Sequence, residues 1–335
     1  MVFKRLLGSL GVGAPTVDTV LQPDPVLPGG TLTGQVHLKG GQADFDIEHI
    51  TLELVARVEA EHEDRESEGV VVFDRFTVGG GFRLGAEASH SVPFDVTLPW
   101  ETPITELYGQ PLGIVLGVRT ELAVAGAKDK GDLDPLTVTA LPVQEAVLEA
   151  FGQLGFGFRS ADLEYGHIGG TGQQLPFYQE IELAPAPQYA HQLNEIEVTF
   201  LTGPGGLEVV LEGDKRGGFL SPGQDAVTRF AVGHHDARDW AAEVDGWVRQ
   251  LVEHRATYGA GAAYGHGAPF TDHGQHGHGG HHHDEHHRSG PGAGTAIAAG
   301  AAGLAVGVVG GMVAAEVVDE VGDFFEGDDE GEGED

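Results

Sequence analysis

Alternation of apolar and polar residues runs through most of the first 140 positions of the chain. It is clear in TLTGQVHLKG (residues 31–40) and ITLELVARVEAE (50–61), and it continues in VVVFDRFTV (70–78), SVPFDVTLP (91–99) and VLGVRTELAV (115–124). A period of two is typical of strands with one face buried. The glycine-rich GGGFRLG (79–85) and a loop at 101–113 separate these runs. The pattern predicts about six or seven short strands in an antiparallel β-sandwich.

The period changes to that of a helix at LPVQEAVLEAFGQLGF (residues 141–156). Pro142 suits a first helical turn, and Gly152 and Gly155 are expected to end the helix. Its apolar face consists of Val143, Val147, Leu148 and Phe151. We expect a helix that connects two sheets. Strand patterns then resume in RSADLEYGH (159–167), LPFYQEIELAP (175–185), NEIEVTFLT (194–202) and GLEVVLEGD (206–214), with GPGG as a hairpin turn between the last two.

A second helix is predicted in HHDARDWAAEVDGWVRQLVEHRA (residues 234–256). Asp236 is the expected N-cap, and Asp239 follows in the position of a capping box. One apolar stripe is formed by Trp240, Val244, Trp247, Val248 and Leu251. This helix is expected to pack on the second group of strands. Beyond residue 258 the sequence is dominated by Gly, Ala and His, and we expect globular order to stop there.

Charge and cysteine content narrow the classes of function. The chain carries 18 Lys and Arg against 52 Asp and Glu, a net charge of −34. Phosphate backbones need basic side chains, so nucleic acid is excluded as a main partner. The absence of cysteine excludes disulfides and Cys-ligated zinc and is compatible with a cytoplasmic location, which we expect. The first residues, MVFKRLLGSLGVGAP, indicate a short amphipathic lead-in rather than a secretory signal.

Seven segments resemble a known family, the sporulation-control proteins called SpoOM, whose fold is similar to that of arrestins. They are FKRLLGSLGVGAPTVDTVL, PGGTLTGQVHLKGG, VPFDVTLPWETPIT, VRTELAVAGAKDKGDLDPLTV, PVQEAVLEAFGQLGF, GQQLPFYQEIEL and DWAAEVDGWVRQLVEHRA. In this order and with this spacing, the segments match the family pattern over residues 2–258. The resemblance implies two arrestin-like β-sandwiches that act in sporulation or a related developmental programme, with no catalytic activity. The long tail is a departure from simpler members.

With this resemblance, five parts are predicted along the chain. Residues 1–141 form an N-terminal arrestin-like sandwich, and residues 142–258 form a C-terminal one with its terminal helix. Residues 259–291 are a His- and Gly-rich linker, 292–318 a Gly- and Ala-rich apolar segment that could be helical, and 319–335 an acidic disordered tail. The fold class is therefore mainly β, with a connector helix, a C-terminal helix and a low-complexity tail.

The chain shows no motif typical of an enzyme. A phosphate loop, a nucleophile elbow and an HExxH helix are all missing from the sequence, so we predict neither catalysis nor a cofactor. His234, His235, Asp236 and Asp239 could be drawn as a metal cluster, but a loop before a capped helix explains them better. The linker concentrates histidines that could chelate a divalent transition metal, namely His278, His281, His282, His283, His286 and His287. A low-complexity spacer is the competing interpretation.

The apolar segment approaches the length that crosses a membrane, roughly 20 residues. Its glycines repeat at intervals of three and four at Gly300, Gly303, Gly307 and Gly310. Such a face permits close helix approach in a membrane, whereas glycine weakens a helix in water by about 1 kcal/mol per residue relative to alanine. Weak membrane contact or self-association and a merely disordered tail both stay open.

The leading hypothesis is a regulatory or scaffold protein that works through contacts with protein partners. The alternatives are a metal-binding or metal-responsive protein that uses the His tract, and a membrane-associated organising protein that uses the Gly/Ala segment. Two loops are candidate partner surfaces. One is 101–113, with Trp100 and Tyr108, and the other is the acidic 59–68, with Glu59, Glu61 and Glu63. Ordinary loops, with Trp100 closing one end of the sandwich core, are the competing interpretation.

Overall fold

The computed structural model describes residues 13–62, 65–126, 130–213 and 227–261. The strands before residue 140 are β1 Thr16–Leu21, β2 Thr31–Lys39, β3 Phe45–His62, β4 Arg65–Leu84, β5 Ser89–Thr97, β6 Glu106–Leu107, β7 Gln110–Pro111, β8 Leu116–Val124 and β9 Lys130–Pro135. They are followed by α1 Pro142–Leu154, β10 Gly157–Tyr165, β11 Phe177–Ala184, β12 Ile196–Gly203, β13 Gly206–Gly213, β14 Thr228–Val232 and α2 Trp240–Gly261. A mainly β fold with two helices in the described part of the chain confirms the predicted class.

One sheet runs through both halves of the chain. Its nine strands follow the order β14-β13-β12-β11-β10-β3-β8-β9, with β4 also paired to β3. The halves meet where Glu59 of β3 lies opposite Glu164 of β10 in a parallel pair. A smaller sheet, β1-β2-β5, packs on the N-terminal part. The helix α1 therefore connects strands of the same sheet, not two separate sheets as predicted. The boundary predicted after residue 141 coincides with the start of α1 and stays a prediction.

The N-terminal core lies between the two sheets. Every second residue of β2 points inward, and Leu32, Val36 and Leu38 are almost fully buried. They belong to the same apolar cluster as Leu52 and Leu54 of β3. Burying a side chain of this size contributes about 1.5–3 kcal/mol. The period of two in the sequence therefore becomes a sandwich because both sheets have an apolar face to cover.

The C-terminal part of the sheet is covered by the helices. Trp247 of α2 stacks on Phe230 of β14, with ring centroids 4.8 Å apart, and α1 buries Val147 and Phe151. The side chain of Gln144 reaches back to accept a hydrogen bond from the Leu141 backbone, which satisfies a donor at the start of α1. The apolar faces predicted for both helices are thus the ones that pack.

Two local predictions were wrong, and a third was confirmed only in part. The acidic 59–68 is not a loop, because β3 and β4 stay paired up to His62 opposite Arg65. GGGFRLG does not separate strands, because residues 79–84 continue β4 beside a register shift in the ladder. The helix α1 continues past Gly152 to Leu154, but Gly155 caps it as predicted, with a φ of 95° in the left-handed region. In 59–68 and 79–84 the local composition is typical of turns, but the long-range pairing of β3 with β4 keeps both segments in strands.

The start of α2 also differs from the prediction. The helix begins at Trp240, and Asp239 caps it by accepting a hydrogen bond from the Ala242 backbone at 3.2 Å. Asp236 is not the N-cap, because it accepts a hydrogen bond from the Gly233 backbone at 3.1 Å. The Gly233 bond and the Arg238 guanidinium hold the pKa of Asp236 below its usual value.

Candidate functional site

A small hairpin presents the most exposed aromatic ring among the described residues. β6 and β7 pair at Leu107 opposite Gln110, so the turn consists of Tyr108 and Gly109 alone. Both residues have positive φ, 52° and 72°, as a tight two-residue hairpin turn requires. A tyrosine in this region is strained by roughly 1–3 kcal/mol, and Tyr108 is 60% exposed. Strain and exposure together make this position a candidate for function.

The hairpin is fixed against the segment that leads into α1. The Thr105 backbone donates to the Val138 carbonyl at 2.8 Å, and its hydroxyl accepts from the Val138 backbone at 2.9 Å. The Leu112 backbone closes the hairpin by donating to the Thr105 carbonyl at 2.9 Å. Since Val138 precedes α1 by four residues, the turn is held beside the first turns of that helix.

Two carboxylates of α1 influence Tyr108. Partial burial, with the charges of Glu145 and Glu149 on α1, raises the pKa of the Tyr108 hydroxyl. These two glutamates are the only charged residues of α1 and lie one turn apart. Glu106 belongs to the hairpin itself. The sequence contains no Lys, Arg or His at 91–118 or 131–158, and no ion pair involves these three glutamates within the described ranges. We call Tyr108, Glu106, Glu145 and Glu149 the hairpin surface.

Trp100 lies at the junction of the two halves. Its half-buried ring packs under Gly29 and beside His234, with the two ring centroids 5.1 Å apart. Next to it, the Glu101 carboxylate accepts hydrogen bonds from the backbones of Gln174 and Leu175 at 2.7 and 2.8 Å. The candidate loop thus has two parts, because its start joins the halves while its hairpin faces solvent.

A second contact across the junction uses one side-chain amide. Gln179 of β11 accepts from the Ile104 backbone at 3.0 Å and donates to the Ile104 carbonyl at 2.9 Å. These two hydrogen bonds have the same pattern as a pair of backbone bonds between neighbouring strands. They align the loop with the C-terminal strands. No pattern in the sequence indicated this contact, because the partners are far apart in the chain.

The other predicted partner surface lies where β3 passes into the second half. Glu59 lies opposite Glu68 of β4, and Glu61 lies opposite Glu66 in the same ladder. Glu63 falls outside the described residues. Their assignment to a partner surface stays a prediction.

Near this point, three carboxylates of β10 and β11 converge. One oxygen each of Asp162, Glu164 and Glu180 lies within 4.8 Å of the others. Burial, reinforced by neighbouring carboxylates, raises the pKa of Glu180 to about 9, so this group is protonated at neutral pH. Oxygen ligands of this kind suit a hard divalent cation, but acidic groups cluster often without one. The cluster depends on strand register, which sequence reasoning did not supply.

Several predicted sites fall outside the described residues. This applies to the His tract with His278 to His287 and to the glycines from Gly300 to Gly310. The cluster drawn from His234 to Asp239 is described, and there His234 contacts the Gly203 carbonyl at 2.8 Å and the ring of Trp100. In the described segments, neither helix combines the length and apolar character that a membrane span requires.

The fold defines a mainly β protein made of a sandwich whose larger sheet extends into a helix-covered second half. The sequence profile of the family described as SpoOM protein matches residues 3–217. The sporulation-control protein spo0M of Bacillus subtilis strain 168 is 40% identical over 215 residues, which cover 64% of this chain and 81% of that protein. The crystal structure of Spo0M from Bacillus subtilis superposes with a TM-score of 0.58 at 33% identity, covering 74% of this chain and 98% of that one. The chain belongs to the SpoOM protein family, as its segments indicated.

Proposed function

We propose that this chain controls sporulation or a related developmental step as a non-enzymatic regulatory or scaffold protein, and that it does so by contacting other proteins. Two facts support the proposal. The relative from Bacillus subtilis is named a sporulation-control protein, and the family match covers the first half of the fold and the second half through β13. Folds of this kind recognise partners through loops held by a rigid scaffold.

The hairpin surface is the observation that best supports contact with a partner protein. Tyr108 is 60% exposed on a turn whose strained backbone would be relieved by glycine at that position. Strain of this kind persists where the surrounding structure imposes it, and it clusters at functional sites. The backbone that presents the ring is held, because the hairpin is hydrogen-bonded to the segment before α1. A rigid exposed aromatic is the residue type that anchors protein interfaces.

A genetic replacement tests this proposal. The gene in its own organism is deleted, or replaced by the Tyr108→Ala variant, and spore yield and the amount of protein are measured. We expect the deletion to change spore yield and Tyr108→Ala to reproduce that change with normal protein levels. Phe158→Ala is the matched control, because Phe158 is 51% exposed on β10 and does not belong to the hairpin surface. It should behave as the unchanged chain.

The outcomes separate the hypotheses. A deletion without any effect on spore yield ends the developmental role. A deletion phenotype that Tyr108→Ala does not reproduce leaves the role but removes the hairpin surface from it. A chain cut after residue 261 tests the two alternatives from the sequence, since metal binding by the His tract and membrane contact by the Gly/Ala segment both require the part that is removed.

A further inference from the structure

The hairpin surface combines two kinds of group that attract a cation. The face of the Tyr108 ring carries negative potential, and a guanidinium or ammonium group within about 6 Å of its centre is attracted to it. The carboxylates of Glu106, Glu145 and Glu149 add formal negative charge beside the ring. The two chain segments that build the surface contain no basic residue. Among the described residues, no ion pair engages these three carboxylates, so formal negative charge lies near an exposed aromatic ring.

The arrangement favours arginine over other cations. A planar guanidinium stacks on an aromatic face and bonds a carboxylate with two parallel N–H groups at the same time, whereas an ammonium is a compact and strongly hydrated charge. The Gln153 side chain donates to Glu149 at 3.1 Å, which holds that carboxylate without neutralising it. Anionic lipid and phosphate would be repelled by these carboxylates, and a metal ion would make no use of the ring.

We propose that the hairpin surface binds an arginine side chain on an exposed segment of a partner protein. The inference rests on the proposed function, because the same surface makes the partner contact there. The guanidinium stacks on Tyr108 and forms its ion pair with Glu145 or Glu149 of α1. The hydrogen-bonded hairpin and the helix α1 form the backbone of the surface before binding, so only side chains of this chain must become ordered.

A peptide titration of the full chain tests the proposal. The probe is the acetylated, amidated pentapeptide Gly-Arg-Gly-Arg-Gly, and the signals are the ¹⁵N-labelled backbone amides of Tyr108, Gly109 and Gln110. We expect a saturable shift of these amides with the arginine peptide. The same peptide with citrulline, which has the shape of arginine but no charge, should not shift them. A lysine peptide should bind several-fold more weakly, because an ammonium cannot stack and bond a carboxylate at once.

Variants locate the binding groups. Tyr108→Ala should weaken binding about two- to fivefold, the range expected of an exposed cation–π contact, while Tyr108→Phe should retain it. The double variant Glu145→Gln with Glu149→Gln should weaken it by a similar factor and reduce its dependence on salt. Phe158→Ala, with the matched pair Glu182→Gln and Glu208→Gln on the C-terminal strands, should bind as the unchanged chain does.

Two results would overturn the inference. One is the absence of a saturable shift at these amides, and the other is unchanged affinity in both the Tyr108→Ala and the double glutamine variants. A circular dichroism spectrum of each variant verifies that it is folded. If Tyr108→Ala changes spore yield but the arginine peptide does not bind, the partner has a different chemistry. The proposed function would then stand while this inference fails.

Discussion

Asp134 should make the protein less stable as the pH rises. This half-buried residue of β9 has one carboxylate oxygen that is buried and has no hydrogen-bond partner among the described residues. Burial, together with the charges of Asp132 and Asp18, raises its pKa from 3.8 to about 7. Asp132 is held beside it, because its carboxylate accepts from the Thr19 backbone of β1 at 2.6 Å. Asp134 therefore sits where β1 crosses β9, among like charges that cannot move away.

The direction and the size of this change in the free energy of unfolding follow from proton linkage. Between pH 4 and 7 the folded chain keeps the proton on Asp134 whereas the unfolded chain has lost it, so stability falls through this range and is constant above it. A shift of about three pKa units corresponds to at most about 4 kcal/mol. Water screens a half-buried group, so we expect about 1–2 kcal/mol. The Asp134→Asn variant removes this loss and offers an amide that can donate to the neighbouring carboxylates.

Urea unfolding, followed by tryptophan fluorescence at several pH values, measures the effect. Asp134→Asn and the unchanged chain should have nearly equal free energies of unfolding at pH 4. By pH 8 the variant should be more stable by about 1–2 kcal/mol. Asp95→Asn, at an exposed position of β5, is the control and should not reproduce the gain in stability that Asp134→Asn shows at pH 8. A difference for Asp134→Asn that is constant with pH, or larger at low pH, would refute the reasoning.

Three further predictions use the same unfolding measurement. Glu53→Ala should cost about 2–3 kcal/mol, because this buried carboxylate binds one arginine on each neighbouring strand, with Nε to oxygen distances of 2.7 Å; an unchanged midpoint would contradict this. Gly29→Ala should cost about 2 kcal/mol or more and alter tryptophan fluorescence, since a Cβ there would lie 2.5 Å from the Trp100 ring at a φ of 69°. Glu180→Gln should gain stability over the unchanged chain as the pH rises from 5 to 9, because the folded pKa is raised to about 9; a gain confined to acid would be inconsistent with that burial.

The family resemblance and the local elements could be read from the sequence because they depend on residues near one another in the chain. The alternation at 31–40 became β2 with every second residue buried. The apolar face and final glycine of 141–156 became α1. Tyr108 could be chosen as a surface candidate from its loop, but its neighbours Glu145 and Glu149 could not, because they lie on a helix more than 30 positions further along.

The sequence by itself determined most strands of the N-terminal sandwich, both helices, the strong negative charge and the family. Only the tertiary structure decided which strands pair, and this moved the acidic 59–68 from a loop into a ladder. It also joined both halves through β3 and β10 and placed Trp100 at their junction. The physical reason is the distance along the chain over which each effect acts. Periodicity and turn chemistry act over a few residues, whereas strand order and register are set by closing long loops and by covering apolar faces together. The carboxylates around Asp134 and around Tyr108 are consequences of that long-range arrangement.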